Sequence, residues 1–266
     1  MGSKPQARPP VRLPDMNEDE AHAPDARIGT EPLAGAIRAC KAVKPRLAAS
    51  MVLLDRSGRQ PKVLLGRRNS ALAFLPGKYV FPGGRLEKAD RLMRGHGLLP
   101  DTNLEKLALR RRRGFPGPEA FALAAIREIF EETGLLIGAP AQEVSLTPVP
   151  PEWQAFVDHG FAPNLAALRF VARAVTPPAF PRRFDTSFFA ADVDAVAHRI
   201  AGCVTPDSEL VELVWLPIAE AMKLDVPRIT AMILLELETQ ITAEFAHDLP
   251  VPFFYERKRR WIRYHL

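Results

Sequence analysis

The chain has 266 residues, 47% hydrophobic and 25% charged, with a net charge of +5. That balance belongs to a folded protein of one large domain or two small ones, and it excludes disorder of the whole chain. No apolar run reaches the roughly 18–20 residues of a membrane-crossing helix, and two cysteines, Cys40 and Cys203, build no disulfide framework, so a reducing, cytoplasmic setting is expected.

Residues 1–45 hold seven prolines and few large apolar side chains, and read as a disordered leader. Met1 to Pro10 lack the apolar stretch of a signal peptide. Residues 46–250 read as the folded domain. Leu47 to Leu54 form an apolar run of strand length that stops at the turn signal Asp55 to Gly58, with Lys62 to Arg67 as its hairpin partner. A short strand over Tyr79 to Phe81 runs into Pro82, Gly83 and Gly84. The stretch from about 85 to 116 is polar and arginine-rich with little periodicity, and reads as an insertion.

A helix over 118–133 is well signalled. Gly117 precedes it, Pro118 and Glu119 suit its first turn, and Gly134 suits its C-terminal cap. Further on, a helix is expected over 152–159, and strands over 168–175, 184–190 and 210–216. Ile229, Ile233, Leu237, Ile241 and Phe245 recur every four residues, the stripe of a long amphipathic helix. Strands interleaved with helices predict a layered α/β fold. Residues 251–266 carry five basic residues against one acid, and read as a basic tail. Most of the net charge therefore sits in one short segment, and a nucleic-acid partner is not expected.

The chemistry concentrates in the predicted helix. Glu128, Glu131 and Glu132 fall at i, i+3 and i+4, so their carboxylates share one face. Such a triad suits a hard divalent cation and metal-assisted phosphoryl chemistry. The plainer alternative is a solvated acidic face.

Glu119, then Arg127-Glu128-Ile129, Glu131-Glu132 and Gly134-Leu135, resembles the second part of the Nudix box, with Gly83-Gly84 as its first part. The glycine stands 35 residues before Glu119 where the box has six, so 29 residues interrupt it. This interruption, together with Phe74-Leu75-Pro76-Gly77 and Arg183-Phe184-Asp185-Thr186, resembles the Nudix-19-type group of acyl-coenzyme A diphosphatases.

The resemblance implies an α/β/α sandwich around a mixed β-sheet. It implies that Glu128, Glu131 and Glu132 hold Mg²⁺ or Mn²⁺ and that a diphosphate linkage in a small nucleotide derivative is hydrolysed. Coenzyme A or an acyl-CoA is the first expectation; ADP-ribose, a dinucleotide or a capped RNA is the alternative within the same chemistry. A noncatalytic nucleotide or RNA sensor on the same fold is the alternative from another class.

Around that core, Arg127 is expected to hold the glutamates rather than touch substrate. Gly83 either offers a backbone carbonyl to the metal or simply forms a tight turn. Glu209, ahead of Glu212, is the candidate general base. Arg68, Arg85 and Arg183 are candidate phosphate clamps, and Arg110 to Arg113 could meet an extra phosphate. The aromatic and basic residues from Arg257 to Tyr264 could grip RNA or an acidic surface, or pack Trp261 and Ile262 on the domain. The sequence sets no oligomeric state.

Overall fold

The computed structural model describes residues 43–111, 114–141, 148–246 and 248–266. The expected leader lies almost wholly outside the described residues.

The chain begins with β1 (Arg46–Asp55), in which Ala48 to Leu54 are all buried, the signature of a strand covered on both faces. β2 (Lys62–Arg68) turns back beside it, followed by β3 (Tyr79–Val80) and β4 (Gly83–Arg85). The β1–β2 hairpin pairs only near its turn, Leu54 with Val63 and Asp55 with Lys62. Beyond that point β4 takes the vacated edge of β1, setting Ser50 opposite Gly83 and Ala49 opposite Gly84.

The expected insertion carries two helices, α1 (Lys88–Leu92) and α2 (Asp101–Ala108). It is not a solvated loop: Ala89, Met93, Leu99 and Leu107 are buried in the same cluster as Phe121 and Ile126. Helix α3 (Pro118–Thr133) follows, with Pro118 in its first turn. Gly134 closes it in the left-handed region at φ 72°, donating its N–H to the Phe130 carbonyl at 2.8 Å. A Cβ at this glycine would collide with the Ile200 carbonyl, so glycine is required twice over.

β5 (Leu135–Pro140), α4 (Gln154–Asp158) and β6 (Phe161–Pro163) come next, then β7 (Arg169–Val175), β8 (Phe184–Asp192) and β9 (Val196–Arg199). β10 (Leu210–Pro217), the short α5 (Ile218–Ala221), α6 (Arg228–Thr242), β11 (Pro252–Arg257) and β12 (Arg260–His265) complete the order. The large sheet runs β10-β2-β1-β8-β7-β11-β12, and a small one runs β6-β5-β9. Parallel β1–β8 and β7–β11 pairs alongside antiparallel ones make the large sheet mixed.

Strand alternation divides β1 between two cores. Ala49, Met51 and Leu53 meet α3 on one face, while Val52 and Leu54 meet α6 on the other. The result is the α/β/α sandwich. In α6, Ile233 and Leu237 are fully buried, Ile229 and Ile241 half-buried, and Phe245 lies past the helix end.

Residues 251–266 are no appended tail. They fold into the β11–β12 hairpin, and β11 extends the main sheet by pairing with β7. Trp261 packs beside the α6 core, with Arg228 over its ring.

Candidate active site

The glutamate-bearing helix α3 packs against β1 and β4. Gly83 approaches β1 so closely that a Cβ there would stand 2.5 Å from the Ala49 carbonyl and 2.6 Å from Ser50 Cα. A Cβ on Gly84 would strike the Glu128 carboxylate. The two glycines thus let the strand press against the acidic helix. Gly83 donates its N–H to Glu132 at 2.9 Å.

Arg127 is buried at 3% exposure and organises the site. It meets Asp90 with two hydrogen bonds, at 2.8 and 3.1 Å. A third nitrogen reaches Glu131 at 2.9 Å and Glu128 at 3.0 Å, and the guanidinium also donates to the Arg85 carbonyl at 2.9 Å. Burial works against its charge, yet the hydrogen bonds to Asp90 and the charges of Glu128 and Glu131 outweigh that and hold it more firmly protonated than usual.

Asp90 is fully buried and is the residue that sequence reasoning missed. Glu119 is exposed on the first turn of α3, and the acid that meets Arg127 from outside that helix is Asp90. The signal was present, because Asp90 stands six residues after Gly84, the spacing the box requires, with Asp in place of Glu. The interruption therefore falls after Asp90, not between Gly84 and Glu119.

Burial pushes Glu128 up to about 7, and Glu131 adds to the shift while Arg127 opposes it. Burial also raises Glu131, and it raises Glu132 well above the usual carboxylate range with help from the Glu128 charge. Among the described residues, no three His, Cys, Asp or Glu side chains converge as a metal-holding group. The donor chemistry nevertheless fits a hard divalent cation. Three carboxylates are raised by burial; Glu128 and Glu131 share a single guanidinium that Asp90 already engages, and among the described residues Glu132 has only the Gly83 N–H.

Glu128 and Glu131 face a cleft of about 660 Å³. The same cleft takes in Gly83, Arg85, Arg127, Arg68, Glu209 and Arg183, so most of the candidate residues share one cavity. Glu132 is turned onto Gly83.

Arg68 joins Glu209 at 2.7 Å, and Arg183 is tied to the Thr176 and Val43 carbonyls at 2.9 and 2.8 Å. Glu212 lies elsewhere, held below its usual range by hydrogen bonds from Arg67 and Tyr79. Arg110 stacks on Tyr264 with 4.4 Å to the ring centre. Arg111 is drawn inward over Phe121 at 3.9 Å and donates to Ser187, and burial lowers its pKa to about 10. Neither lines the cleft; Arg112 and Arg113 lie outside the described residues.

A family model described as the NUDIX domain matches residues 44–237, and the chain belongs to the Nudix family. It is similar to a Homo sapiens protein named acyl-coenzyme A diphosphatase NUDT19, 29% identical over 177 residues, covering 48% of this chain and 47% of that protein. A Gallus gallus protein of the same name is 34% identical over 98 residues, covering 30% of this chain and 26% of that one. The chain therefore spans about half the length, or less, of these curated relatives. Among solved structures, a NUDIX hydrolase from Alicyclobacillus acidocaldarius matches with a TM-score of 0.59 at 27% identity, covering 79% of this chain and 98% of that one. Among the described residues, no helix is long and apolar enough to cross a membrane.

Proposed function

We propose that the chain is a divalent-metal-dependent hydrolase of the diphosphate linkage in a nucleotide derivative, with coenzyme A or an acyl-CoA as substrate. The observation that carries this reading is the charge layout of the cleft. Glu87, Glu128 and Glu131 line it together with Arg46, Arg85 and Arg183. Phe74, Phe184 and Phe188 add apolar wall for the non-phosphate parts of a ligand. The names of the human and chicken relatives support the CoA assignment.

Glu128, Glu131 and Glu132 would hold Mg²⁺ or Mn²⁺, with the Gly83 carbonyl as a further oxygen donor. When bound, such a cation screens the diphosphate's negative oxygens and acidifies water. The chain's own residues supply the rest. Arg127, fixed by Asp90, aims Glu128 and Glu131 and favours their ionised forms against burial. Arg68 and Arg85 present guanidinium groups to phosphate oxygens. Glu209, at the cleft wall and hydrogen-bonded to Arg68, accepts the proton of the attacking water.

The test is product release from CoA, acyl-CoA, ADP-ribose, NADH and diadenosine polyphosphates, with Mg²⁺ or Mn²⁺ and with EDTA. Metal-dependent release of adenosine 3′,5′-bisphosphate from CoA species, well above the other substrates, supports the reading. Turnover of ADP-ribose or dinucleotides instead keeps the diphosphatase and overturns the CoA assignment. Ligand binding without turnover, unaltered by Glu131→Gln, would make the protein a sensor.

A further inference from the structure

The cations around the cleft fall into two groups. Arg68 and Arg183 are engaged, the first by Glu209 and the Phe74 carbonyl, the second by two backbone carbonyls. Arg46, Arg85 and Arg182 are exposed, line the same cleft, and make no side-chain hydrogen bond or ion pair among the described residues; Arg85 stands opposite Ala48 on β4, and the other two lie beyond the end of that pairing. Those two sit together for a backbone reason. The Arg46 N–H donates to the Arg183 carbonyl at 2.9 Å, and Arg46 stands opposite Phe184 in the β1–β8 register. Three arginines are thereby brought to the same end of these two strands. The acid whose charge acts on Arg183 is Glu256 of β11.

The position of this cluster is set by strand geometry. Alternation puts Arg46, Ala48 and Ser50 on one face of β1, beside Phe184, Thr186 and Phe188 of β8, and all six line the cleft. Ser50 is opposite Gly83, which binds Glu132. Four residues of strand from Ser50 to Arg46 span about 13 Å. The cluster is therefore set off from the acidic end, with room between for a sugar and its linkage. Glu256 acts on Arg183 but makes no ion pair with Arg46 or Arg182 among the described residues; neighbouring like charges of that kind favour an anion, and guanidinium forks suit phosphate oxygens.

We propose that Arg46 and Arg182 form a subsite for a phosphate monoester carried on the ribose of the substrate, separate from the diphosphate at the glutamate end. This rests on the diphosphatase reading above and narrows it. CoA bears such a group at the 3′ position and NADPH at the 2′ position, whereas dephospho-CoA, NADH and ADP-ribose bear none. The subsite gives the enzyme a selectivity that the metal and the glutamates cannot supply, because every one of these substrates offers them the same diphosphate.

The experiment compares kcat/KM for CoA against dephospho-CoA and for NADPH against NADH, in the native chain and in an Arg46→Gln, Arg182→Gln double variant. In parallel, calorimetry measures binding of adenosine 3′,5′-bisphosphate, adenosine 2′,5′-bisphosphate and AMP. The native chain should prefer the phosphorylated member of one pair by at least tenfold, and that pair names the position read. In the double variant the preference should fall below threefold, through a larger loss on the phosphorylated substrate. An Arg46→Lys, Arg182→Lys variant should retain part of it.

Equal use of both members in the native chain, or an undiminished preference in the double variant, overturns the subsite. Absence of all turnover, with bisphosphate still bound tenfold more tightly than AMP and that margin lost in the variant, overturns the diphosphatase reading and leaves the subsite standing.

Discussion

Replacing Asp90 by asparagine is the sharpest perturbation of this site, because it removes one charge and almost no volume. Asp90 is fully buried and Arg127 is 3% exposed, joined by two hydrogen bonds. Neutralising one partner of a buried pair costs about 3–5 kcal/mol, and Glu128 and Glu131, which stay on Arg127, set the expected cost toward the lower end. For a domain of this size each kcal/mol lowers Tm by about 2–4 °C, so the expected fall is about 6–20 °C. Glu128 and Glu131 lose the fixed guanidinium that aims them, and loss of such supporting partners lowers activity by about 10–100-fold. The control is Glu119→Gln. Glu119 is exposed, and a surface change of this kind is worth about 0.5 kcal/mol or less. Thermal melts and steady-state turnover of both variants, measured side by side, decide the matter. Equal Tm losses in the two variants, or a larger one in Glu119→Gln, would refute Asp90 as the partner of Arg127.

Four further outcomes are expected. The first concerns pH: Glu128 is pushed up to about 7 from 4.5, so the metal-free folded state binds a proton that the unfolded chain has released. Stability should therefore fall as pH rises from about 4.5 to about 7, by about 3 kcal/mol at most, and Glu128→Gln should flatten that slope in pH-dependent melts. By the same sign, Mg²⁺ or Mn²⁺ should raise Tm more at pH 8 than at pH 5, since ligation needs the carboxylates ionised; an equal rise at both pH values would exclude them as ligands. Gly84→Ala should cost about 1–3 kcal/mol in chemical denaturation and also depress turnover, because its methyl group enters the space of the Glu128 carboxylate. Arg111→Met should lower stability while leaving KM for CoA within twofold, because Arg111 lies over Phe121 and outside the cleft; a tenfold rise in KM would return it to substrate binding.

What the sequence disclosed follows from where each signal resides. Helix α3 is legible because its end signals, Gly117-Pro118 and Gly134, and its apolar period are all local. β1 is legible because seven consecutive buried residues form a run no loop would carry. The β11–β12 hairpin is misread as a tail for two reasons. Its charges mask the alternation of aromatic side chains, although charge suits a strand at a sheet edge. Its turn is made by Lys258 and Arg259, both left-handed at φ 50° and 62°, where glycine or asparagine would be the recognisable choice. β9 offers one half-buried valine and three exposed residues, too little for a pattern. Within the site, the i, i+3, i+4 glutamates are visible in one dimension. The Arg127–Asp90 contact is tertiary, and only the six-residue spacing from Gly84 betrayed it.

The same contact explains how an interrupted motif can still close. Asp90 and Arg127 lie 37 residues apart along the chain and yet hydrogen-bond at 2.8 Å. Loop-closure entropy grows only with the logarithm of length, about 0.6 kcal/mol per doubling, so stretching the expected eight-residue separation to this length costs roughly 1–2 kcal/mol. The inserted chain brings its own compensation. Met93, Leu99 and Leu107 are buried in the core beneath α3, and each such side chain contributes about 1.5–3 kcal/mol on burial. The insertion thus carries the free energy of its own closure. Leu107→Ala, a substitution outside the cleft lining, should therefore cost about 2–5 kcal/mol and loosen the catalytic helix with it. Hydrogen exchange should show faster opening across both α2 and the Arg127 turn of α3. Faster exchange confined to α2 would mean that the insertion is an independent appendage and that Arg127 keeps its partner without it.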